Sequence, residues 1–393
     1  MKKLIICFLF AVACAFSIFP SINYGMFANA TANKSKTENQ EKLKISSKAG
    51  LLLDYETGSV LFEKNSAERL PIASMTKLAT LAVVFDSISK GVLKESDDVV
   101  VSKKASHIGG SSAFLDTGSK YKVGELIKSI IIASANDSSV ALAEHLAGSE
   151  EVFVSKMNKL ALSLNLKDTN FVNCTGLPAE NHYSSAKDIA EIYKQICNNE
   201  LYKKHSKVWL DEFIHPSGRK TKLTNTNKLI KTYEGIEGGK TGFTNAARFC
   251  LTASARRGNI RLIGVVIGAN DSKTRSADMT ALFNYGFENF DHKPVLNAEI
   301  PVTIQPVLKT EEKVEIFPAR NVSVLINKLE DKTFTTDFKL DEIKAPIKSG
   351  TVVGKLFVFD ENNMVVDEVD LIVKKDICEI SFKERLRKLT LAW

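Results

Sequence analysis

The hydrophobic and polar positions divide the chain into segments of different character, and the first segment is almost purely apolar. Leu4 to Phe19 is a nearly unbroken apolar run, which Lys2 and Lys3 precede and Ala28-Asn29-Ala30 follows. A positive start, an apolar core and a small-x-small site are typical of a secretory signal peptide. We therefore predict a signal peptide over 1–30 and an exported protein. A retained N-terminal membrane anchor is the alternative.

A polar, lysine-rich linker at 31–44 precedes a region in which strand and helix periodicities both occur. Two short apolar runs between Gly50 and Phe62 predict a β-hairpin. Apolar residues at helical spacing predict helices over 74–88, 123–146 and 151–164. Strand patterns return after Gly238, where the runs 249–254 and 260–267 flank Arg256-Arg257-Gly258-Asn259 and predict a second hairpin. Residues 276–287 predict a closing helix with Ser276 as its N-cap. We therefore predict a first domain of mixed α and β structure over 45–292.

The pattern changes after Lys293-Pro294. Short alternating segments without a helical face occupy 293–380, which predicts a small all-β, sandwich-like C-terminal domain. In the tail, 381–393, one helical stripe is apolar and basic residues flank it; the stripe consists of Phe382, Leu386, Leu389 and Trp393. A basic amphipathic segment of this kind predicts association with a membrane surface. A last helix docked on the β domain is the alternative.

Composition narrows the classes of function. The 393 residues are enough for two domains, and 44% hydrophobic with 25% charged residues is typical of a protein with a real core. The net charge of +7 suits an anionic cell envelope, and no nucleic-acid-binding motif occurs. The six histidines lack metal-ligand spacing, so we expect neither a metal nor a cofactor. The four cysteines after the signal peptide are widely spaced, which predicts free buried thiols.

Three short patterns could carry chemistry, and the first is Ser74-Met75-Thr76-Lys77. It opens an apolar helix, so a serine and a lysine three residues apart would share one helix face. A serine hydroxyl is a poor nucleophile until a base removes its proton, and a lysine amine with a depressed pKa can act as that base. Because Ser-x-x-Lys recurs elsewhere in the chain, an N-cap serine beside a surface lysine is the simpler interpretation of this pattern alone.

The other two patterns are Ser134-Ala135-Asn136 and Lys240-Thr241-Gly242. The first interrupts two apolar helical stretches, where a hydroxyl could relay a proton and an amide could hold a substrate carbonyl. An ordinary turn between helices is the alternative. In the second, lysine offers a positive charge for a carboxylate, threonine offers a hydroxyl, and the surrounding glycines let a ligand backbone approach the strand closely.

In this order, the three patterns resemble the set shared by β-lactamases and penicillin-binding proteins. Within that group the chain is similar to the low-molecular-mass, serine-type D-alanyl-D-alanine carboxypeptidases (peptidase family S11) over about Gly50 to Phe290, and onward through a C-terminal β domain. Segments 136–144 and 182–186 strengthen the likeness. The resemblance implies a β-lactamase/transpeptidase-like catalytic domain, in which an antiparallel sheet packs against a helical cluster.

The resemblance also implies roles for particular residues. Ser74 would attack the bond between the last two D-alanines of a peptidoglycan stem peptide, with Lys77 as base and Ser134 as proton relay. The remaining residues would bind substrate. Asn136 would hold the amide of the penultimate residue, and Lys240 and Thr241, next to Gly242, would bind the terminal carboxylate. The N–H groups of Ser74 and Phe243 would form the oxyanion hole. β-Lactam antibiotics would acylate Ser74 as covalent inhibitors.

Three positions at or after the third pattern match the family less closely, or with less certain roles, than the three patterns do. Many members of the family have histidine where this chain has Phe243, which leaves the backbone N–H but changes the side-chain contacts. Arg275, just ahead of the predicted closing helix, matches a family arginine near the carboxylate pocket; a surface charge is the alternative. Arg248 is unusual and receives no role.

Three rival functions share parts of this pattern. A β-lactamase with a Glu-x-x-Leu-Asn loop would have glutamate where this chain has Ala161 before Leu164-Asn165. A non-catalytic wall-binding protein would have lost Ser74 or Lys77. A peptidoglycan endopeptidase or transpeptidase differs only in the bond attacked or the acceptor. We therefore expect a carboxypeptidase on the outer face of the cytoplasmic membrane, in the cell wall or in the periplasm.

Overall fold

The computed structural model describes residues 43–310, 312–381 and 387. The predicted signal peptide and all but the end of the predicted linker lie outside these residues. Almost all of the predicted C-terminal tail also lies outside them. Within the described residues, no helix is both long enough and apolar enough to cross a bilayer.

The described residues form nine α-helices and sixteen β-strands. The helices are α1 (Lys77–Ser89), α2 (Lys103–Ser106), α3 (Val123–Ala133), α4 (Asn136–Ala147), α5 (Glu150–Ser163), α6 (Ala186–Ile196), α7 (Glu200–Ser206), α8 (Leu229–Thr232) and α9 (Ser272–Asn289). The strands are β1 (Ala49–Asp54), β2 (Val60–Lys64), β3 (Asp98–Val100), β4 (Lys120–Lys122), β5 (Leu210–Ile214), β6 (Lys220–Thr224), β7 (Ile236–Thr244), β8 (Arg248–Arg257), β9 (Ile260–Ala269), β10 (Phe290–Leu296), β11 (Thr303–Pro306), β12 (Lys313–Pro318), β13 (Val322–Asn327), β14 (Thr335–Leu340), β15 (Val352–Phe359) and β16 (Val365–Val373).

The centre of the first domain is an antiparallel sheet in the order β2-β1-β9-β8-β7. The central strands of this sheet consist of nearly continuous apolar residues because both faces of the sheet are covered. Leu51 and Ile263 lie in the core shared with the helical cluster, whereas Leu262 faces α9 and lies against Gly286. The predicted hairpins β1–β2 and β8–β9 are confirmed, and β7 lies at the edge of the sheet.

The helical cluster is built around α1. The first nine residues of this helix, 77–85, are all buried, as expected for a helix that other elements surround on every side. The single predicted helix over 123–146 is two helices, α3 and α4. Ser134 ends α3 in the left-handed conformation (φ 63°), and α4 begins two residues later at Asn136. The predicted polar interruption is therefore a sharp break between two helices.

The closing helix differs from its prediction. Helix α9 begins at Ser272, and its N-cap is Asp271, whose carboxylate accepts a hydrogen bond from the Thr274 N–H at 2.7 Å. The Ser276 hydroxyl instead donates to the carbonyl oxygen of Ser272 inside the helix, so the assignment of Ser276 as the cap was wrong. Arg275 therefore lies in the first turn of α9 and not ahead of the helix. The carboxylate cap was overlooked because the apolar periodicity becomes visible only after this first turn.

The C-terminal part of the chain is an antiparallel β domain, as predicted. One sheet has the order β11-β12-β16-β15-β14, and a two-stranded sheet pairs β10 with β13. Alternating residues of the large sheet, such as Val314, Ile316, Val369 and Leu371, are buried in a separate apolar core. Strand β10 follows α9 directly, so the β domain is continuous with the last helix of the first domain.

The cysteine prediction holds at three positions. Cys174, Cys197 and Cys250 are free and buried, but Cys378 is free and exposed, which corrects the expectation for that thiol.

Candidate active site

The first pattern, Ser74 to Lys77, lies where a short 3-10 turn (Ala73–Thr76) leads into α1. Ala73 has a positive φ of 48°, which bends the chain immediately before the serine. Lys77, the first residue of α1, is completely buried, and its Nζ lies 3.0 Å from the Ser74 Oγ. The structure thus brings the serine hydroxyl and the lysine amine into hydrogen-bond contact, which is the geometry a nucleophile and its base need.

Lys77 lies in surroundings that favour its neutral form. Burial lowers the pKa of Lys77 to about 7, although the negative charge of Asp137 partly opposes the shift. The Nζ donates a second hydrogen bond, of 2.6 Å, to the carbonyl oxygen of Thr175. A carbonyl accepts from an amine and from an ammonium alike, so it fixes the position of the Nζ while leaving the amine able to take up a proton.

The second pattern lies at the break between α3 and α4. The Ser134 Oγ accepts a hydrogen bond of 2.7 Å from the Lys240 Nζ. Asn136 is held by its side chain, whose Nδ2 donates to the Gly109 carbonyl at 2.6 Å, and by its main chain, whose N–H donates to the Ser111 carbonyl. Its Oδ1 is buried and has no hydrogen-bond partner among the described residues. Because an unpaired buried acceptor is costly, this oxygen is a candidate to accept from a ligand N–H.

The third pattern lies on the edge strand β7. Lys240 is buried, and burial together with repulsion from Lys77 and Arg275 holds its pKa well below the usual value. Gly242, two residues after Lys240 on the same strand, packs against the turn that carries Ser74. The structure therefore places two serine–lysine pairs, Ser74–Lys77 and Ser134–Lys240, side by side.

Thr241 and Gly242 continue the strand past Lys240. The Thr241 hydroxyl donates to the Thr226 hydroxyl at 2.6 Å. A Cβ atom on Gly242 would lie 2.6 Å from the Ile72 carbonyl oxygen and 3.2 Å from the Ser74 nitrogen. Since Cβ atoms do not approach backbone oxygens so closely, only glycine lets β7 pack directly against the turn that carries Ser74.

Phe243 and Arg275 lie at the borders of this cluster. Phe243 is half exposed, and its ring packs on that of Phe249 with the centroids 4.4 Å apart. Arg275 is buried and not a surface charge: burial lowers its pKa, and its Nε has no hydrogen-bond partner among the described residues. One Nη donates to the Ser272 hydroxyl at 3.2 Å. An incompletely paired buried guanidinium near Lys240 is suited to an anionic group.

Sequence reasoning missed several groups that support these residues. Asp137 accepts hydrogen bonds from the Ser112 hydroxyl and from the N–H groups of Ala113 and Leu115, so it fixes the loop beside Asn136. Its position next to Asn136 is a signal that could have found it. The Thr175 carbonyl is a backbone group that any residue type supplies, so the sequence gives no signal for it.

Two hydroxyl–amine pairs in a nearly dry cluster, with unpaired polar groups of Asn136 and Arg275 around them, define a site for acyl transfer to serine. Such a site on the edge of an antiparallel sheet is the arrangement of the active-site serine enzymes that recognise penicillin.

Comparisons with known proteins identify the family. The sequence model described as D-alanyl-D-alanine carboxypeptidase matches residues 34–271, and that of the C-terminal domain of penicillin-binding protein 5 matches 290–379. The chain is 39% identical over 370 residues to the D-alanyl-D-alanine carboxypeptidase DacF of Bacillus subtilis, covering 93% of this chain and 95% of the relative. It is 33% identical to DacC of Escherichia coli, covering 87% of each. The chain therefore belongs to the family of serine-type D-alanyl-D-alanine carboxypeptidases.

The fold supports the same assignment. Penicillin-binding protein 5 of Haemophilus influenzae superposes with a TM-score of 0.69 at 31% identity, covering 86% of this chain and 99% of that one. Penicillin-binding protein 6B of Escherichia coli gives a TM-score of 0.65 at 29% identity, with 84% of this chain covered and 96% of that one. The predicted family, its fold class and its carboxypeptidase activity are thus confirmed, and the β-lactamase and endopeptidase alternatives are not favoured.

The close approach at Gly242 generates a prediction. In Gly242→Ala, the new methyl group would separate β7 from the Ser74 turn, so we expect penicillin acylation to slow on the order of 100-fold. The measurement is the rate of covalent labelling by a fluorescent penicillin. Gly124→Ala is the control, because its Cβ would meet nothing closer than 3.4 Å and it lies in a helix. Equal labelling rates in both variants would contradict the packing argument.

Proposed function

We propose that Ser74 is the nucleophile with which this carboxypeptidase removes the terminal D-alanine from peptidoglycan stem peptides. The family supports stem peptides as substrates and β-lactams as ligands. The observation that carries the assignment of Ser74 is the 3.0 Å contact between its hydroxyl and the buried Lys77 amine. Lys77 takes the hydroxyl proton as Ser74 attacks the carbonyl carbon, and the N–H groups of Ser74 and Phe243 bind the resulting oxyanion.

The second serine–lysine pair delivers the proton to the leaving group. Ser134, held by Lys240 at 2.7 Å, passes its proton to the nitrogen of the departing D-alanine as the C–N bond breaks, and it takes up in exchange the proton that Lys77 received from Ser74. The acyl-enzyme remains, and water hydrolyses it to release the shortened peptide. Because the Lys240 amine donates to the Ser134 hydroxyl, we assign Lys240 to the orientation of Ser134 and to substrate binding rather than to activation of the nucleophile.

The remaining site residues bind the substrate. The unpaired Oδ1 of Asn136 accepts from the amide N–H of the acyl-donor peptide. The terminal carboxylate lies between the Thr241 hydroxyl and the side chains of Lys240 and Arg275, and the charge of Arg275 is near enough to contribute to the lowered pKa of Lys240. Gly242 lets the edge strand pack against the Ser74 turn, and the half-exposed Phe243 ring borders the cleft.

Two further assignments follow from the sequence. We assign the catalytic domain to 45–292 and the β domain to 293–380, supported by the separate apolar core of the latter. We also assign the protein to the outside of the cytoplasmic membrane, because the relatives it matches bear the names of cell-wall-acting enzymes and residues 1–30 have the composition of a signal peptide.

Ser74→Ala tests the nucleophile. We expect it to abolish both covalent labelling by a fluorescent penicillin and release of D-alanine from a pentapeptide, because the acyl-enzyme forms on the Ser74 hydroxyl. Ser217→Ala is a matched control, since Ser217 and Lys220 form the same Ser-x-x-Lys pattern on an exposed turn. Labelling that persists in Ser74→Ala would refute the assignment, and rapid loss of label without D-alanine release would indicate a β-lactamase.

The lowered pKa of Lys77 predicts the pH dependence of acylation. Below a pKa of about 7 the amine is protonated and cannot act as base, so the rate should rise as the pH passes through that value and then level off. The measurement is the second-order rate constant of penicillin labelling from about pH 5.5 to about pH 8.5, expected to change about tenfold per unit on the acid limb. A rate that stays constant across this interval would exclude Lys77 as the base.

The tail, 381–393, is proposed to associate with the membrane surface, on the basis of its apolar stripe and flanking basic residues. We expect a chain that ends at residue 380 to remain in solution when the mature full-length chain, without residues 1–30, sediments with vesicles of anionic lipid. Both chains should retain equal penicillin labelling. Equal sedimentation of the two chains would contradict the proposal.

A further inference from the structure

The loop 173–176 supports both partners of the first serine–lysine pair. Its Thr175 carbonyl accepts the 2.6 Å hydrogen bond from the Lys77 amine. At Gly176, a Cβ atom would lie 1.9 Å from the Ala73 carbonyl oxygen, so this loop packs directly on the turn that carries Ser74. A shift of the loop would therefore move the acceptor of the base and the platform of the nucleophile together.

A buried carboxylate holds this loop from the side away from Lys77. Glu150, the first residue of α5, accepts a hydrogen bond from the Cys174 N–H at 3.1 Å and another from the Cys174 thiol at 3.3 Å, both through Oε1. Its Oε2 lies 2.8 Å from the Lys104 Nζ. The Cys174 N–H that Glu150 binds thus lies one residue before Thr175, whose carbonyl oxygen accepts the hydrogen bond from Lys77.

The surroundings of Glu150 keep it ionised in a buried place. Burial opposes its ionisation, but the hydrogen bonds from Lys104 and Cys174 outweigh burial and hold its pKa below the usual value. The N-terminus of α5 also favours a negative charge at this position. An ionised carboxylate accepts stronger hydrogen bonds than a neutral group, so it restrains the Cys174 N–H more firmly than an amide would.

We propose that Glu150 is a positioning residue for catalysis: it fixes the loop 173–176 so that the Thr175 carbonyl keeps the Lys77 amine on the Ser74 hydroxyl. Glu150 touches neither hydroxyl nor amine and takes no proton. Lys104 assists by neutralising the buried charge. This inference rests on the proposed roles of Ser74 and Lys77.

The chain offers a matched control for Glu150. The adjacent Glu151 contacts the same Lys104 amine at 3.3 Å, but its side chain is 76% exposed and makes no hydrogen bond to the loop in the described structure. Glu150→Ala and Glu151→Ala each remove one negative charge, and both of these charges contact the Lys104 amine. Only the first removes the acceptor of the Cys174 N–H. Glu150→Gln keeps an oxygen acceptor and removes the charge.

The experiment separates binding from chemistry. Stopped-flow labelling by a fluorescent penicillin yields the dissociation constant of the noncovalent complex and the first-order acylation constant for the mature full-length enzyme and each variant. We expect Glu150→Ala to lower the acylation constant about ten- to a hundredfold with an unchanged dissociation constant, because the groups that bind the carboxylate are untouched. Glu150→Gln should lose less, and Glu151→Ala should match the parent enzyme.

Melting temperatures of all variants are measured in parallel. The inference is overturned if Glu150→Ala acylates as fast as Glu151→Ala, or if only the dissociation constant changes. If Glu150→Ala does not fold, the comparison of Glu150→Gln with Glu151→Gln decides in the same way, because both replace a carboxylate by an amide. Failure of the parent enzyme to be labelled would instead refute the proposed function.

Discussion

The site depends on holding two lysines, Lys77 and Lys240, side by side in a place almost free of water. Burial lowers the pKa of Lys77 to about 7, and burial together with the nearby charge of Lys77 holds the pKa of Lys240 well below its usual value. Two cations cannot be buried together unless acceptors surround them. Here the acceptors are uncharged: the hydroxyls of Ser74 and Ser134 and the carbonyl oxygen of Thr175. A carboxylate in direct contact would raise the pKa of Lys77 and keep its amine protonated, so the amine could not accept a further proton.

The fold satisfies this requirement by bringing three structural elements together at the site. Helix α1 begins at Lys77, the break between α3 and α4 presents Ser134, and the edge strand β7 carries Lys240. The apolar core around α1 excludes water from below, and the glycine at 242 lets the strand close against the turn. Carboxylates are present, but they bind the N–H groups of neighbouring loops rather than the two amines. Asp137 fixes a loop beside Asn136, and Glu150 fixes the loop 173–176. Negative charge thus orients the site without contacting its amines.

Much of the fold could be predicted, because periodicity is a local property. The hairpins β1–β2 and β8–β9 and helix α5 follow directly from apolar spacing and turn residues. The start of α9 was misplaced because a carboxylate cap, Asp271, and a polar first turn precede the apolar stripe. The polar interruption within 123–146 was visible in the sequence, but the sharp break between two helices depends on the left-handed conformation of Ser134, which the sequence does not specify.

By itself the sequence determined the three motifs, their order and the family they indicate, since residue types and their spacing are written in the chain. The sequence alone could not determine that the hydroxyls of Ser74 and Ser134 are each hydrogen-bonded to a lysine. The lysine that pairs with Ser134 is Lys240, which lies 106 positions further along the chain. The depressed pKa of Lys77, the carbonyl of Thr175 and the support from Glu150 were decided by the tertiary structure alone. Burial and hydrogen-bond partners arise only when distant segments pack together, and these are the quantities that turn an ordinary lysine into a base.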